Sequence, residues 1–272
     1  MTAYFAYWAY FSANLRSILR YRVAAVAGFV TQAFWGLLRL SLFSAFYAAL
    51  GPNERPPLTG PELTAYIWLG QALFVLLPLR PDPEALELVR EGGLAYELTR
   101  PVDLYSFWFS RSVALRFAPV ALRFPLVALF AFLVPSKAWS LSLPPSGAAF
   151  AAFFVALGIS FLLAGALTAL LSVLCLWIEG GNGLAQLVAI FAWLSSGLVL
   201  PLPMMPPWLR RIAEWLPFSS ILDSPLRLYS GQLSASHAGL PLLRALGWAL
   251  ILIALGRWIL SRSLSRVEVQ GG

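Results

Sequence analysis

The chain has 272 residues, of which 60% are hydrophobic and only 11% charged. A soluble domain carries about 25% charged residues, so this chain lacks the polar surface to face water on all sides and reads as a polytopic membrane protein. Its net charge of +7 rests on arginine, Lys137 being the sole lysine, and the arginines form no basic run, which argues against a nucleic-acid partner.

Residues 2–20 open with Tyr4, Phe5, Tyr7, Trp8, Tyr10 and Phe11, followed by Arg16 and Arg20. Aromatic rings suit the headgroup level and arginines suit lipid phosphate, so an interfacial helix is expected, the alternative being the early part of a long first span. A cleavable signal peptide has its positive charge ahead of its apolar core, and here the order is reversed.

A span needs roughly 20 apolar residues. Six segments qualify: 23–50, 63–79, 112–134, 147–178, 184–202 and 240–260. The expected fold is therefore all-α, with 1–272 as a single transmembrane domain. The cytoplasmic segments would carry Arg16, Arg20, Arg22, Arg80, Arg90, Arg100, Arg257, Arg262 and Arg266. The outer ones would carry Arg55, Lys137, Arg210, Arg211 and Arg227, so the bias places both termini inside.

Three arginines fall within predicted spans: Arg39 in the first, Arg116 and Arg123 in the third. A charge at mid-bilayer costs about 2.5–3.5 kcal/mol on insertion scales, so each must face protein, water or phosphate. One reading is a polar wall that contacts an anionic substrate headgroup. The other is snorkelling and pairing with a neighbour such as Glu179. In the fourth span Ala151, Gly158, Gly165 and Ser172 recur every seven residues, a small-residue seam for packing within the subunit or between two copies.

Two loops are long. In 80–104, Asp82 suits a helix cap, Pro83 the first helical position and Glu84 the positive end of the helix dipole, while Gly92 and Gly93 form a stop. Glu84, Glu87 and Glu91 share one face, which suits either contact with a soluble partner or a solvated connector. In the outer loop, 203–238, Met204, Trp208, Leu209, Ile212 and Trp215 alternate with Arg210, Arg211 and Glu214, the pattern of a short amphipathic helix at the outer leaflet that ends at Pro217 and Phe218.

Much chemistry is missing from the sequence. It has no phosphate-binding loop of the Gly-x-x-x-x-Gly-Lys type, no Gly-x-Ser-x-Gly elbow and no zinc motif. Asp82, Asp103 and Asp223 are scattered, and single Cys175 and His237 read as packing and loop residues. No metal and no cofactor are expected in this chain. A membrane-embedded lipid-modifying enzyme would need convergent acids, histidines or a metal; a scaffold or assembly protein would fit the capped loop helix as well as a transporter does.

Two segments resemble a known family. Residues 89–102, Val-Arg-Glu-Gly-Gly-Leu-Ala-Tyr-Glu-Leu-Thr-Arg-Pro-Val, resemble the loop of permease subunits of type-two ABC exporters, in the short six-span bacterial group, with Thr99 where leucine is usual. Pro206-Pro207-Trp208, Leu216-Pro217-Phe218, Pro225 and Tyr229-Ser230-Gly231 resemble that family's run before the last span. The resemblance implies a permease of the bacterial plasma membrane with an N-terminal interfacial helix and short re-entrant helices around Trp208, Trp215, Pro217 and Phe218. It implies a second permease copy or paralogue, membrane lipids, and a separate ABC ATPase subunit that holds ATP and Mg. The coupling helix would comprise Pro83, Glu84, Glu87, Arg90 and Glu91, with Gly92, Arg100 and Pro101 shaping the turn behind it.

Overall fold

The computed structural model describes residues 2–20, 22–51, 53–91, 93, 97–99, 102–175 and 182–264. They form α-helices, short 3-10 turns and connecting loops, with no strand among them. In chain order the α-helices are α1 (Thr2–Arg20), α2 (Arg22–Ala48), α3 (Gly60–Ala72), α4 (Pro83–Arg90), α5 (Leu104–Leu133) and α6 (Gly147–Leu174). They continue with α7 (Asn182–Ser195), α8 (Pro207–Trp215), α9 (Pro217–Ile221), α10 (Asp223–Ser230) and α11 (Gly239–Leu264).

Among the described residues, α2, α5, α6 and α11 are long and apolar enough to cross a membrane. Their outer faces carry exposed Val30, Phe34, Leu38, Leu42, Phe154, Leu250 and Ile251, which suits lipid rather than water. Two of the six expected segments hold shorter helices. The segment predicted at 63–79 is a 13-residue helix, α3, followed by a 3-10 turn over Phe74–Leu76. The one predicted at 184–202 is the 14-residue α7, followed by bends over 196–200.

At 1.5 Å per residue each of these helices is about 20 Å long, well short of a hydrocarbon core of about 30 Å. Pro78 keeps the stretch beyond the 3-10 turn from resuming a helix, and Gly197 adopts a left-handed φ of 82° just after α7. The third predicted span differs in the other direction: α5 begins at Leu104 rather than 112 and runs for 30 residues.

That early start is set by a cap. Asp103 accepts a hydrogen bond from the Ser106 amide at 2.8 Å, and Arg257 of α11 donates to the same carboxylate at 3.0 Å. Partial burial pushes the Asp103 carboxyl up, but the Ser106 bonds and the Arg257 charge outweigh it and hold the group below its ordinary value. Its contribution is therefore present at neutral pH and is lost as pH falls through that lowered value. Asp103→Ala is expected to lower stability by about 1 kcal/mol, the usual cost of a lost cap, and Asp103→Asn by less. Thermal unfolding of the extracted protein at neutral and acid pH checks both. An Ala variant as stable as the parent would show that the cap contributes nothing.

The core sits around α6, which packs against α5, α11, α9 and α10. A Cβ on Gly165 would fall 2.4 Å from a Val113 methyl of α5, so the small residue is what lets these two helices approach. Ser172, one heptad on, is buried within the subunit, whereas Gly158 has nothing within 4 Å of such a Cβ and Ala151 is exposed. The predicted seam is thus an intrasubunit contact in its C-terminal half and an open face in its N-terminal half. α3 is buried along nearly its whole length, and Gly36 of α2 admits Trp68 of α3 against it.

Candidate functional site

The loop helix α4 starts as its sequence predicts. Asp82 accepts a hydrogen bond from the Glu84 amide at 3.0 Å, and Pro83 occupies the first turn. Ala85 is buried beside Trp108 and Tyr105 of α5, while Glu84 and Glu87 are exposed. Glu91 lies in the turn beyond the helix, where its amide donates to the Glu87 carbonyl at 2.9 Å. Arg90 ends α4. Gly92, Arg100 and Pro101 lie outside the described residues.

Asp82 does more than cap. Its second carboxylate oxygen pairs with Arg111 of α5, both groups being about 2% exposed, and its amide donates to the Ser172 hydroxyl of α6 at 3.0 Å. Burial raises the Asp82 carboxyl above its ordinary value, against the pull of Arg111 and of the Glu84 amide. One loop residue therefore fastens α4 to two long helices. Tyr10 of α1 joins the same junction, donating to Glu84 at 3.1 Å and packing edge-on against Phe107. Between α1, α4 and α5 lies a cleft of about 310 Å³ bordered by Glu84, Glu87, Glu91 and Glu97.

The three intramembrane arginines have different surroundings. Arg116 bonds to the Thr168 hydroxyl at 3.1 Å and to the carbonyls of Val75, Leu77 and Arg80 at 3.4, 3.2 and 2.9 Å. Those carbonyls belong to the irregular stretch where α3 has stopped. Backbone without helical partners is tolerated at membrane depth only if protein groups satisfy it, and Arg116 supplies them. Arg39 plays the matching part at the end of α7, donating to the Val199 carbonyl at 2.8 Å. Arg123 leans over Gly28 of α2, where a Cβ would come within 2.6 Å of its Nε. Glu179, the suggested partner, lies outside the described residues.

At the opposite end, α8 exposes Trp208 and Trp215, while Pro217 and Phe218 turn the chain into a buried hairpin of α9 and α10. The hairpin packs against α3 and α6. Asp223 of α10 is fully enclosed; it accepts a hydrogen bond from the Tyr66 hydroxyl of α3 at 2.7 Å and pairs with Arg227 at 3.3 Å. Arg227 also reaches Glu214, itself paired with Arg210 at 2.8 Å. Gly197 touches this cluster, since a Cβ there would lie 2.0 Å from the Tyr66 hydroxyl.

Arg111 and the pair Tyr66–Asp223 were not singled out from sequence. Arg111 offered one signal, a lone charge within an aromatic run; Tyr66 and Asp223 are 157 positions apart and offered none. Among the described residues no group of acids, histidines or cysteines is placed to hold a metal. The family described as ABC-2 type transporter matches residues 92–227, half of the chain. No curated protein matches, and neither does any solved structure.

Proposed function

The chain belongs to the ABC-2 type transporter family, as a membrane component rather than an ATPase, and on that premise we propose that it is the permease subunit of an ATP-driven exporter. It works with a separate ATPase subunit and a second permease copy or paralogue, and moves an amphipathic or lipid-like substrate outward across the bacterial plasma membrane. In this reading 1–272 form one transmembrane domain that crosses six times, α3 and α7 being short spans completed by irregular backbone. Both termini are cytoplasmic, so α4 faces the ATPase and α8–α10 lie at the outer side, with Trp208 and Trp215 in the outer leaflet.

The observation that carries this reading is the mounting of α4. Pro83, Glu84, Glu87, Arg90 and Glu91 make up a short helix whose exposed side is acidic and whose buried side is tied by Asp82 to α5 and α6. A push on the acidic side would reach both long helices without a compliant link. We assign Gly92, Arg100 and Pro101 to the turn behind it. The cleft bordered by four glutamates suits a basic element of the ATPase, which steers docking by charge.

The test is to express the permease with its ATPase and purify the assembly. Nucleotide-dependent turnover in a co-purifying ATPase is expected. Glu87→Arg reverses a charge that is exposed, so the fold should survive while association and substrate-stimulated ATP hydrolysis fall about tenfold or more. Unchanged association in that variant would remove α4 from the coupling contact. A chain that purifies alone would favour a scaffold.

A further inference from the structure

A groove of about 330 Å³ lies between α2, α3 and α7. Its walls are aromatic: Trp35 of α2, Phe74 beyond α3, and Trp193 of α7, which meets Phe74 edge-on at 6.2 Å. Four polar residues interrupt this lining: Thr31, whose hydroxyl donates to the Ala27 carbonyl at 2.9 Å, Gln32, Arg39 and Gln71. Gln32 and Gln71 are 8% and 5% exposed, and neither amide makes a side-chain hydrogen bond among the described residues. Arg39 donates one hydrogen bond to Val199 and its other donors make none among the described residues. No acid lines the groove among the described residues.

The polar atoms of these side chains are therefore open to the groove, where a ligand can reach them. Gln32 and Arg39 are seven positions apart on α2, so they lie on one face about 10 Å from each other. Apolar walls with a few convergent polar groups are the marks of a ligand site. We propose that this groove binds the anionic headgroup and the single apolar chain of an amphipathic substrate. The anion lies against Arg39 and the amides of Gln32 and Gln71; the chain lies between Trp35, Phe74 and Trp193. This deepens the permease reading and rests on it for the word substrate.

The test measures direct binding of labelled dodecyl phosphate to the permease in phosphatidylcholine nanodiscs. Saturable binding at one site per chain is expected. Dodecyltrimethylammonium, with the same chain and the opposite charge, is expected to compete at least tenfold more weakly, and inorganic phosphate not at all. Gln71→Leu and Gln32→Leu remove side-chain amides that make no hydrogen bond among the described residues, so they should fold and weaken binding about tenfold each. Arg39→Gln keeps a donor for Val199 and should weaken it more.

Absent saturable binding, equal competition by the cation or by inorganic phosphate, or unchanged affinity in the Gln71→Leu/Gln32→Leu double variant would each overturn the proposal. So would quantitative disulfide formation between two copies at Trp193→Cys in a Cys175→Ser background, because the groove would then be covered by a second chain. Failure of binding with the ATPase still associated sinks this site and leaves the permease reading intact. Binding without any ATPase association does the reverse.

Discussion

Asp82→Ala is expected to destabilise the protein by about 3–5 kcal/mol and to disconnect ATP hydrolysis from transport. The change removes the α4 cap and takes from Arg111 its buried carboxylate. Arg111 is poorly placed to find a substitute: its NH2 has no hydrogen-bond partner among the described residues, and the Glu84 carboxylate is 3.4 Å away and mostly exposed. A guanidinium cannot shed its proton to escape, whereas a carboxyl can take one up. Arg111→Met should therefore cost less than Asp82→Ala, because burial already pushes the Asp82 carboxyl up and the stranded acid becomes neutral.

The double variant Asp82→Asn/Arg111→Met replaces the charged pair with groups that need no counter-ion. It should recover much of the stability without recovering the coupling, since the charged link between α4 and α5 is gone and only apolar packing around Ala85 remains. Equilibrium unfolding in bicelles reads the first quantity and substrate-stimulated ATP hydrolysis by the assembly reads the second. An Asp82→Ala protein within about 1 kcal/mol of the parent would mean the pair contributes little net free energy, as some buried pairs do.

Gly197→Ala should be almost as damaging, on the order of 3–5 kcal/mol, from two sources. The residue sits at a φ of 82°, where a side chain is strained, and its new methyl would fall 2.0 Å from the Tyr66 hydroxyl. Tyr66 would have to leave Asp223, which is buried. Tyr66→Phe removes only the hydroxyl and its bond. Combined with Gly197→Ala it should relieve the collision, so the two losses should be less than additive by over 1 kcal/mol. Strict additivity would show that Gly197 and Tyr66 do not share this contact. The same substitution is expected to shift the Val199 carbonyl off Arg39 and so to weaken occupancy of the neighbouring groove.

Much of the architecture was legible in the order of residues because its signals are local. Pro83 and Asp82 start α4 wherever the chain goes next, and runs of apolar residues mark the long helices. Pro78 and Gly197 were equally visible, but each lay inside a segment counted as a span, 63–79 and 184–202. An apolar run of 17 residues is nearly long enough to span by count, and a count does not show that the helix stops at Ala72.

The arginines show the same limit from the other side. Their presence in apolar segments signalled that each needed a partner, and the hydrogen-bonding demand was sound. What each one meets was not legible: Arg116 meets carbonyls 36 to 41 positions upstream, and Arg39 meets one 160 positions downstream. Asp82 was legible only as a cap and Arg111 was not singled out at all, although each is the other's partner in a buried pair.

Sequence alone determined that this chain is a set of apolar helices suited to a bilayer, where a short capped helix interrupts them, and that it carries no phosphate-binding loop. Those properties follow from composition and near-neighbour patterns, which act within one or two helical turns. Tertiary structure decided which helices are long enough to cross, and which arginines meet the carbonyls beyond α3 and α7. It also decided that two glutamines are left facing a groove. These outcomes depend on pairs far apart in the chain, brought together because apolar surroundings leave a buried polar group no partner except another part of the protein or a ligand.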